Sequence, residues 1–155
     1  MPGAGKSTLG VVLAKTAGKL FLDTDISIQQ HTGEILQETI NRDGIDAFLK
    51  IEEAVVSGLE CKNTVIATGG SVVFSEKAMN ALKTNGIVVY LQVPLDDIKK
   101  RLNNITTRGI AMSPKDTIDE VFHQRLPLYK KYADITVNAA DSCIEKAVEE
   151  IINQI

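Results

Sequence analysis

The hydrophobic positions of this chain fall into two alternating rhythms. Short runs of β-type residues occupy 20–23, 64–67, 87–91 and 134–137, each too short to make a convincing helix. Between them the apolar spacing changes to three and four residues. Ile144, Ala147, Val148, Ile151, Ile152 and Ile155 form one stripe, and Ser142 with Glu145 is spaced as a capping box ahead of it. Thr117 with Glu120 supplies a second box, opening a helix that carries Val121, Phe122 and Arg125. Pro94 suits the first turn of a helix running towards Leu102. Strands that alternate with helices predict an α/β fold, a parallel sheet covered by helices on both faces.

Length and composition narrow the picture. At 155 residues the chain has material for one core, so 1–155 is read as a single domain. Hydrophobic residues at 44% and charged residues at 24% place it among chains that fold. No apolar stretch approaches the ~18 residues of a membrane span, and no signal-like run opens the chain, so a soluble cytoplasmic protein is expected. A net charge of −3 lacks the basic footprint of a nucleic-acid binder, which points to a small-molecule partner; a monomer is expected, with no nucleic acid or membrane as partner. Cys61 and Cys143 stand far apart without companion ligands and are read as reduced packing residues. Tyr129 and Tyr132 flank Lys130 and Lys131, a pattern read as a solvated helix face.

One stretch, about 103–116, holds no sustained period and contains Gly109, Pro114 and Arg108. Loops of that length in compact domains are usually functional, so a lid is expected there, with a solvated connector as the alternative.

The opening residues carry the strongest chemistry. Met1-Pro2-Gly3-Ala4-Gly5-Lys6-Ser7 fits the last seven positions of the phosphate-loop pattern, and Thr8 leads directly into the helical run 9–15. Glycines let backbone N–H groups turn inward around phosphate oxygens, and the following helix adds its positive end. Lys6 would reach the β- and γ-phosphates and the Ser7 hydroxyl would ligate Mg2+. The pattern's first glycine would precede Met1, as would the strand that feeds the loop, so these residues are expected to belong to a longer chain.

Asp23 and Asp25 follow the run at 20–23, at the edge where open α/β sheets bind ligands. In an extended chain both would project the same way, one towards a metal and the other towards an acceptor hydroxyl; the alternative is that Asp25 caps the next segment. After the second run, Gly69 and Gly70 permit close approach of a ligand to the backbone, or else form a tight turn.

Taken in order, these features resemble the shikimate kinases. Gly-Ala-Gly-Lys-Ser-Thr at 3–8, Asp-Thr-Asp at 23–25, Gly-Ile-Asp-Ala-Phe at 44–48 and Ala-Thr-Gly-Gly at 67–70 are followed by an Arg-bearing lid. Arg-Leu-Pro-Leu-Tyr at 125–129 and Ala-Asp-Ile-Thr-Val at 133–137 complete the set across nearly the whole chain. The resemblance implies a P-loop NTPase fold, a three-layer α/β/α sandwich around a five-stranded parallel sheet whose first strand is missing here. It also implies transfer of the ATP γ-phosphoryl group to the 3-hydroxyl of shikimate. By the same resemblance Gly3, Ala4, Gly5, Lys6, Ser7, Thr8 and Arg101 hold the nucleotide, while Ser7 and Asp23 serve Mg2+. Asp25, Glu52, Gly69, Gly70 and Arg125 form the acceptor site within and beyond a segment at about 25–55. Lys6, Asp25 and Arg108 carry catalysis.

Three positions depart from the family pattern. Leu49 stands where an arginine clamps the acceptor carboxylate, Ser71 replaces a third glycine, and the lid reads Arg-Gly-Ile-Ala-Met at 108–112. Losing one charged hydrogen bond costs roughly 1.5–3 kcal/mol, or about 10- to 150-fold in affinity, unless another group takes it over. Lys50 lies about 100° around a helix from position 49, so it would have to reach from another face. The alternatives are therefore a kinase for a different small hydroxylated metabolite, or a catalytically silent nucleotide-binding module.

Overall fold

A computed structural model describes residues 1–102, 110–112, 116–140 and 143–155. The chain starts in the phosphate loop and enters helix α1 (Lys6–Thr16), then strand β1 (Leu20–Asp23). Three helices follow, α2 (Thr24–Thr32), α3 (Leu36–Asp43) and α4 (Ile45–Ser57), before strand β2 (Thr64–Ala67). A 3-10 turn at Val72–Phe74 leads to α5 (Glu76–Thr84), β3 (Val89–Gln92), α6 (Leu95–Leu102), α7 (Ile118–Tyr132), β4 (Ile135–Asn138) and α8 (Ile144–Ile152).

The four expected strands are all present, β3 and β4 beginning one or two residues later than the apolar runs suggest. Thr117 and Glu120 form the full capping box, each side chain bonded to the other residue's backbone N–H. Pro94 lies just outside α6, and its carbonyl accepts from the N–H groups of Asp97 and Ile98 at 3.1 Å. Ser142 lies outside the described residues, and Cys143 takes the N-cap position of α8 without a side-chain cap. Cys143 is exposed and Cys61 half-buried, both as free thiols, so the packing role expected of Cys143 is not what the fold gives it.

Both strand pairs are parallel. β1 lies beside β2 with Leu20 level with Thr64 and Asp23 level with Ala67; β3 lies beside β4 with Val89 level with Ile135. The expected single sheet is thus present as two parallel pairs among the described residues, separated by a cleft of about 700 Å³. Leu9, Leu13, Val65, Met79, Tyr90 and Ile151 line that cleft. One consequence of the β1–β2 register governs the site. It sets the residues after Asp23 and those after Ala67 side by side at the carboxyl edge.

The larger apolar cluster runs from Leu9 and Leu13 through Tyr90, Ile98 and Val137 to Ile151. A smaller one joins Ile28, Leu36, Ile40, Phe48 and Ala111, with Leu49 packed against it, and makes the α2–α4 segment a body of its own beside the site. The stripe read from the sequence is the buried face of α8: Ala147, Val148 and Ile151 are buried, while Ile155 falls past the helix end and is exposed. Ile151 is 1% exposed. Ile151→Ala is expected to cost about 2–5 kcal/mol of unfolding free energy in urea titration. A loss below about 1 kcal/mol would show that α8 does not close the core.

Candidate active site

Gly3 and Gly5 carry the phosphate loop through positive φ values of 74° and 88°, conformations that a side chain disfavours. Gly5 caps α1, so the helix begins at Lys6 with its free N–H groups facing the loop. The Lys6 ammonium folds back along the loop and donates to the Met1 carbonyl at 2.9 Å. Thr8 is exposed on the first turn, and Ala4 is buried beneath the loop. Arg101, at the end of α6, donates to the carbonyls of Gly3 at 3.3 Å, Ala139 at 3.1 Å and Ala140 at 2.6 Å. It ties the loop to the segment after β4.

Asp23 connects loop and strand. Its Oδ2 accepts from the Ser7 hydroxyl at 2.6 Å, and its Oδ1 accepts from the Asp25 N–H at 3.0 Å. The cap of α2 is therefore Asp23, and Asp25 is free of that duty. The extended 23–25 segment expected from the sequence is not formed, because α2 starts at Thr24. Asp25 reaches the site from the first helical turn instead.

On the neighbouring strand end, the N–H of Gly69 donates to the hydroxyl of Thr24, a fully buried side chain, at 3.1 Å. A β-carbon on Gly69 would collide with Glu52 Oε1 and stand 3.1 Å from Asp25 Oδ1. One on Gly70 would come within 3.1 Å of an Arg125 nitrogen. Both glycines are thus required by the side chains crowded over them. The Tyr129 hydroxyl donates to the Gly70 carbonyl at 2.7 Å, and burial pushes this phenol up to about 12.

Arg125 is 2% exposed. Its Nη2 donates to the Ala111 carbonyl at 2.5 Å, its guanidinium lies 5.4 Å from the centre of the Phe74 ring, and its Nε has no partner. Glu52, on α4, is equally buried, and its Oε1 is likewise unpartnered. Burial first, then the nearby Asp25 charge, pushes Glu52 up to about 7 against the pull of the Ser71 hydroxyl and of Arg125. A cavity of about 50 Å³ gathers these groups, bounded by Lys6, Ser7, Asp25, Glu52, Gly69 and Arg125.

The structure thus brings together Gly3, Gly5, Lys6, Ser7, Asp25, Glu52, Gly69, Gly70 and Arg125, with Asp23 bonded behind them. Arg108 and most of the expected lid lie outside the described residues. Leu49 does not face the cavity but packs with the apolar cluster of the α2–α4 segment, and Lys50 is exposed. No cation on α4 replaces the absent arginine among the described residues. Thr24 and Tyr129 do not line the cavity but bond to the backbone of Gly69 and Gly70, a supporting role the sequence reading does not assign them. Tyr129 was assigned with Tyr132 to a solvated face, yet both are 8% exposed while Lys130 and Lys131 face outward. The available signal was spacing, since Tyr129 lies four residues after Arg125 on one side of α7.

The family model for shikimate kinase matches residues 2–155. The chain belongs to the shikimate kinase family. It is 35% identical over 156 residues to the shikimate kinase of Vibrio cholerae, covering 99% of this chain and 90% of the relative. The shikimate kinase of Caldanaerobacter subterraneus is 33% identical, with coverages of 97% and 89%. Among solved structures, the Acinetobacter baumannii shikimate kinase in complex with shikimate superposes with a TM-score of 0.86 at 29% identity, covering 99% of this chain and 87% of that one. The Aquifex aeolicus shikimate kinase gives 0.80 at 31% identity, with coverages of 98% and 89%. The α/β fold of this family is the fold described above.

Glu52 leaves a pH signature on folding. A carboxyl group held near 7 when folded and near 4.5 when unfolded binds its proton more tightly in the folded state. Its contribution is therefore favourable at low pH and is lost as pH rises from about 4.5 to 7, levelling off above. Glu52→Gln should flatten that fall, reducing the drop in urea unfolding free energy between pH 5 and pH 8 by about 2 kcal/mol. Identical pH dependence in both proteins would show that Glu52 is not desolvated.

Proposed function

We propose that this chain transfers the γ-phosphoryl group of ATP to the 3-hydroxyl of shikimate. The observation that carries this reading is the convergence on one cavity of a phosphate loop with its lysine, a carboxylate free of capping duty, and a buried arginine. Membership of the shikimate kinase family supports it.

The chemistry asks the protein for alignment and charge rather than covalent help. Arg125, buried in the wall of the cavity, would pair with the acceptor carboxylate. Asp25 would hold the acceptor hydroxyl and take its proton as the oxygen–phosphorus bond forms and the bond from γ-phosphorus to the bridging oxygen breaks. Lys6, now bonded to a loop carbonyl, would turn to the phosphate oxygens and balance the charge left on ADP. Arg108 keeps its assignment from the family resemblance, as the lid arginine over the transferring phosphate.

Ser7 and Asp23 suit a divalent cation. Both are hard oxygen donors already 2.6 Å apart. That is the donor set of an ion shared with phosphates and water, as Mg2+ is in such kinases. When bound, Mg2+ would neutralise phosphate charge. No helix among the described residues is long and apolar enough to cross a membrane; we infer a cytoplasmic monomer acting on a small molecule.

The test is a coupled assay of ATP consumption with shikimate and a panel of other hydroxy acids and sugars. Phosphorylation of shikimate is expected; ATP binding without a phosphorylated product from any acceptor would make the chain a silent nucleotide-binding module. Lys6→Ala should abolish turnover with little change in melting temperature, and unchanged turnover would remove Lys6 from the mechanism. Arg125→Ala should raise the KM for shikimate by roughly 10-fold or more while the KM for ATP stays within about 2-fold. Equal effects on both substrates would contradict the assigned pocket.

A further inference from the structure

Arg125 and Tyr129 lie four residues apart on α7, so their side chains stand one above the other on its buried side. Tyr129 is 8% exposed, and its ring stacks on Tyr90 of β3 with centres 5.3 Å apart and planes 17° from parallel. A buried phenol needs a partner for its hydroxyl, and here the hydroxyl is used in both directions. It donates to the Gly70 carbonyl at 2.7 Å and accepts from the Arg125 guanidinium. The groups crowd one spot, since a β-carbon on Gly70 would stand 3.1 Å from Arg125 Nη1 and 3.2 Å from the Tyr129 oxygen. Guanidinium, phenol and backbone carbonyl thus form one chain of hydrogen bonds in which each bond polarises the next.

The other contacts of Arg125 do not settle its orientation. Nη2 donates to the Ala111 carbonyl, the guanidinium lies 5.4 Å from the centre of the Phe74 ring, and Nε has no partner among the described residues. A single hydrogen bond is a pivot, and a ring face allows a planar group to slide and turn across it. A second hydrogen bond, on the other terminal nitrogen, fixes the plane. A carboxylate takes two parallel N–H bonds from such a fork, so the plane matters to an anionic ligand. Whatever sets it before the ligand arrives removes an ordering cost from binding.

We propose that Tyr129 is a positioning residue for recognition of the acceptor carboxylate: braced by Tyr90 and by the Gly70 carbonyl, its hydroxyl fixes the plane in which Arg125 presents its N–H groups. This rests on the phosphoryl-transfer reading above, in which Arg125 meets that carboxylate, and deepens it. Tyr129 lies outside the residues that bound the cavity, so its effect is confined to ligands that use Arg125.

The experiment compares shikimate with its methyl ester, which keeps the ring and the hydroxyls and loses the negative charge. Binding is measured by calorimetry and turnover by steady-state kinetics, on wild type, Tyr129→Phe, Arg125→Ala and the double variant. Tyr129→Phe keeps the ring and its stack and removes only the hydroxyl. It should weaken shikimate binding roughly 3- to 12-fold, the order of one hydrogen bond, while ester binding and the KM for ATP stay within about 2-fold. The shikimate KM should change more than kcat. With Arg125 already replaced, losing the hydroxyl should alter the shikimate KM by less than about 2-fold, because the group it positions is gone. Equal losses for shikimate and ester, or the same loss without Arg125, would make Tyr129 a support of the fold and overturn the proposal. Unchanged shikimate binding in Tyr129→Phe would overturn it too. Should the variants fail to fold, isotope-labelled wild type decides: the Tyr129 ring-carbon resonances should move on saturation with shikimate and much less with the ester. Equal movement with the two compounds, or none with either, would overturn the proposal. A wild-type chain that binds ATP yet neither binds nor phosphorylates shikimate would instead refute the phosphoryl-transfer reading, and the proposal would fall with it.

Discussion

Everything at this site hangs on the Asp23 carboxylate. One oxygen holds the Ser7 hydroxyl and the other holds the Asp25 N–H, so a single side chain ties the first turn of α1 to the first turn of α2. Hydrogen bonds to an ionised acceptor are shorter and stronger than neutral ones, and this pair fixes two helix starts against the end of β1. The phosphate loop and the acceptor carboxylate are thereby positioned by the same group. A shift of one cannot occur without strain on the other, which suits a reaction that depends on alignment.

The acceptor side is built on a different principle. Glu52, Arg125, Thr24 and Ser71 are all buried within a few per cent of completely, and among the described residues few other polar side chains are. Thr24 is satisfied by the Gly69 N–H, and Arg125 partly by the Ala111 carbonyl. What remains open is a donor and an acceptor around a small cavity. Such groups are costly in the empty protein, and that cost becomes selectivity when a ligand of matching polarity arrives. The close packing of Gly69 and Gly70 belongs to the same design. Without side chains they let a carboxylate, a guanidinium and a tyrosine hydroxyl meet the backbone where β-carbons would block them.

Leu49 shows how fold and site trade places within one helix. At this position the side chain joins the apolar cluster that holds α2, α3 and α4 together, so the segment gains packing and the pocket loses a cation. Glu52 lies three residues further along the same helix, where burial and the Asp25 charge outweigh the pull of the Ser71 hydroxyl and of Arg125 and Lys6. Under the proposed function, recognition of an anionic acceptor then falls on Arg125, which lines the same cavity.

The phosphate loop, the four strands, the α7 capping box and the α8 stripe were legible in the sequence because each depends on residues within a few positions of one another. Backbone conformation, local hydrogen bonds and helical periodicity are short-range properties, and glycines at 3 and 5 or apolar residues at 147, 148 and 151 express them directly. The pairing of Asp23 with Ser7, of Gly69 with Thr24 and of Tyr129 with Gly70 was not legible, since each joins groups 16 to 59 residues apart. Tyr129 was misassigned for that reason: its lysine neighbours describe the exposed side of α7, and only the packing of that helix over Gly70 reveals the buried one. The sequence by itself determined which elements form and which chemical groups are at hand. The tertiary structure alone decided which buried groups find partners and which are left open for a ligand, because burial and pairing are properties of where distant segments meet.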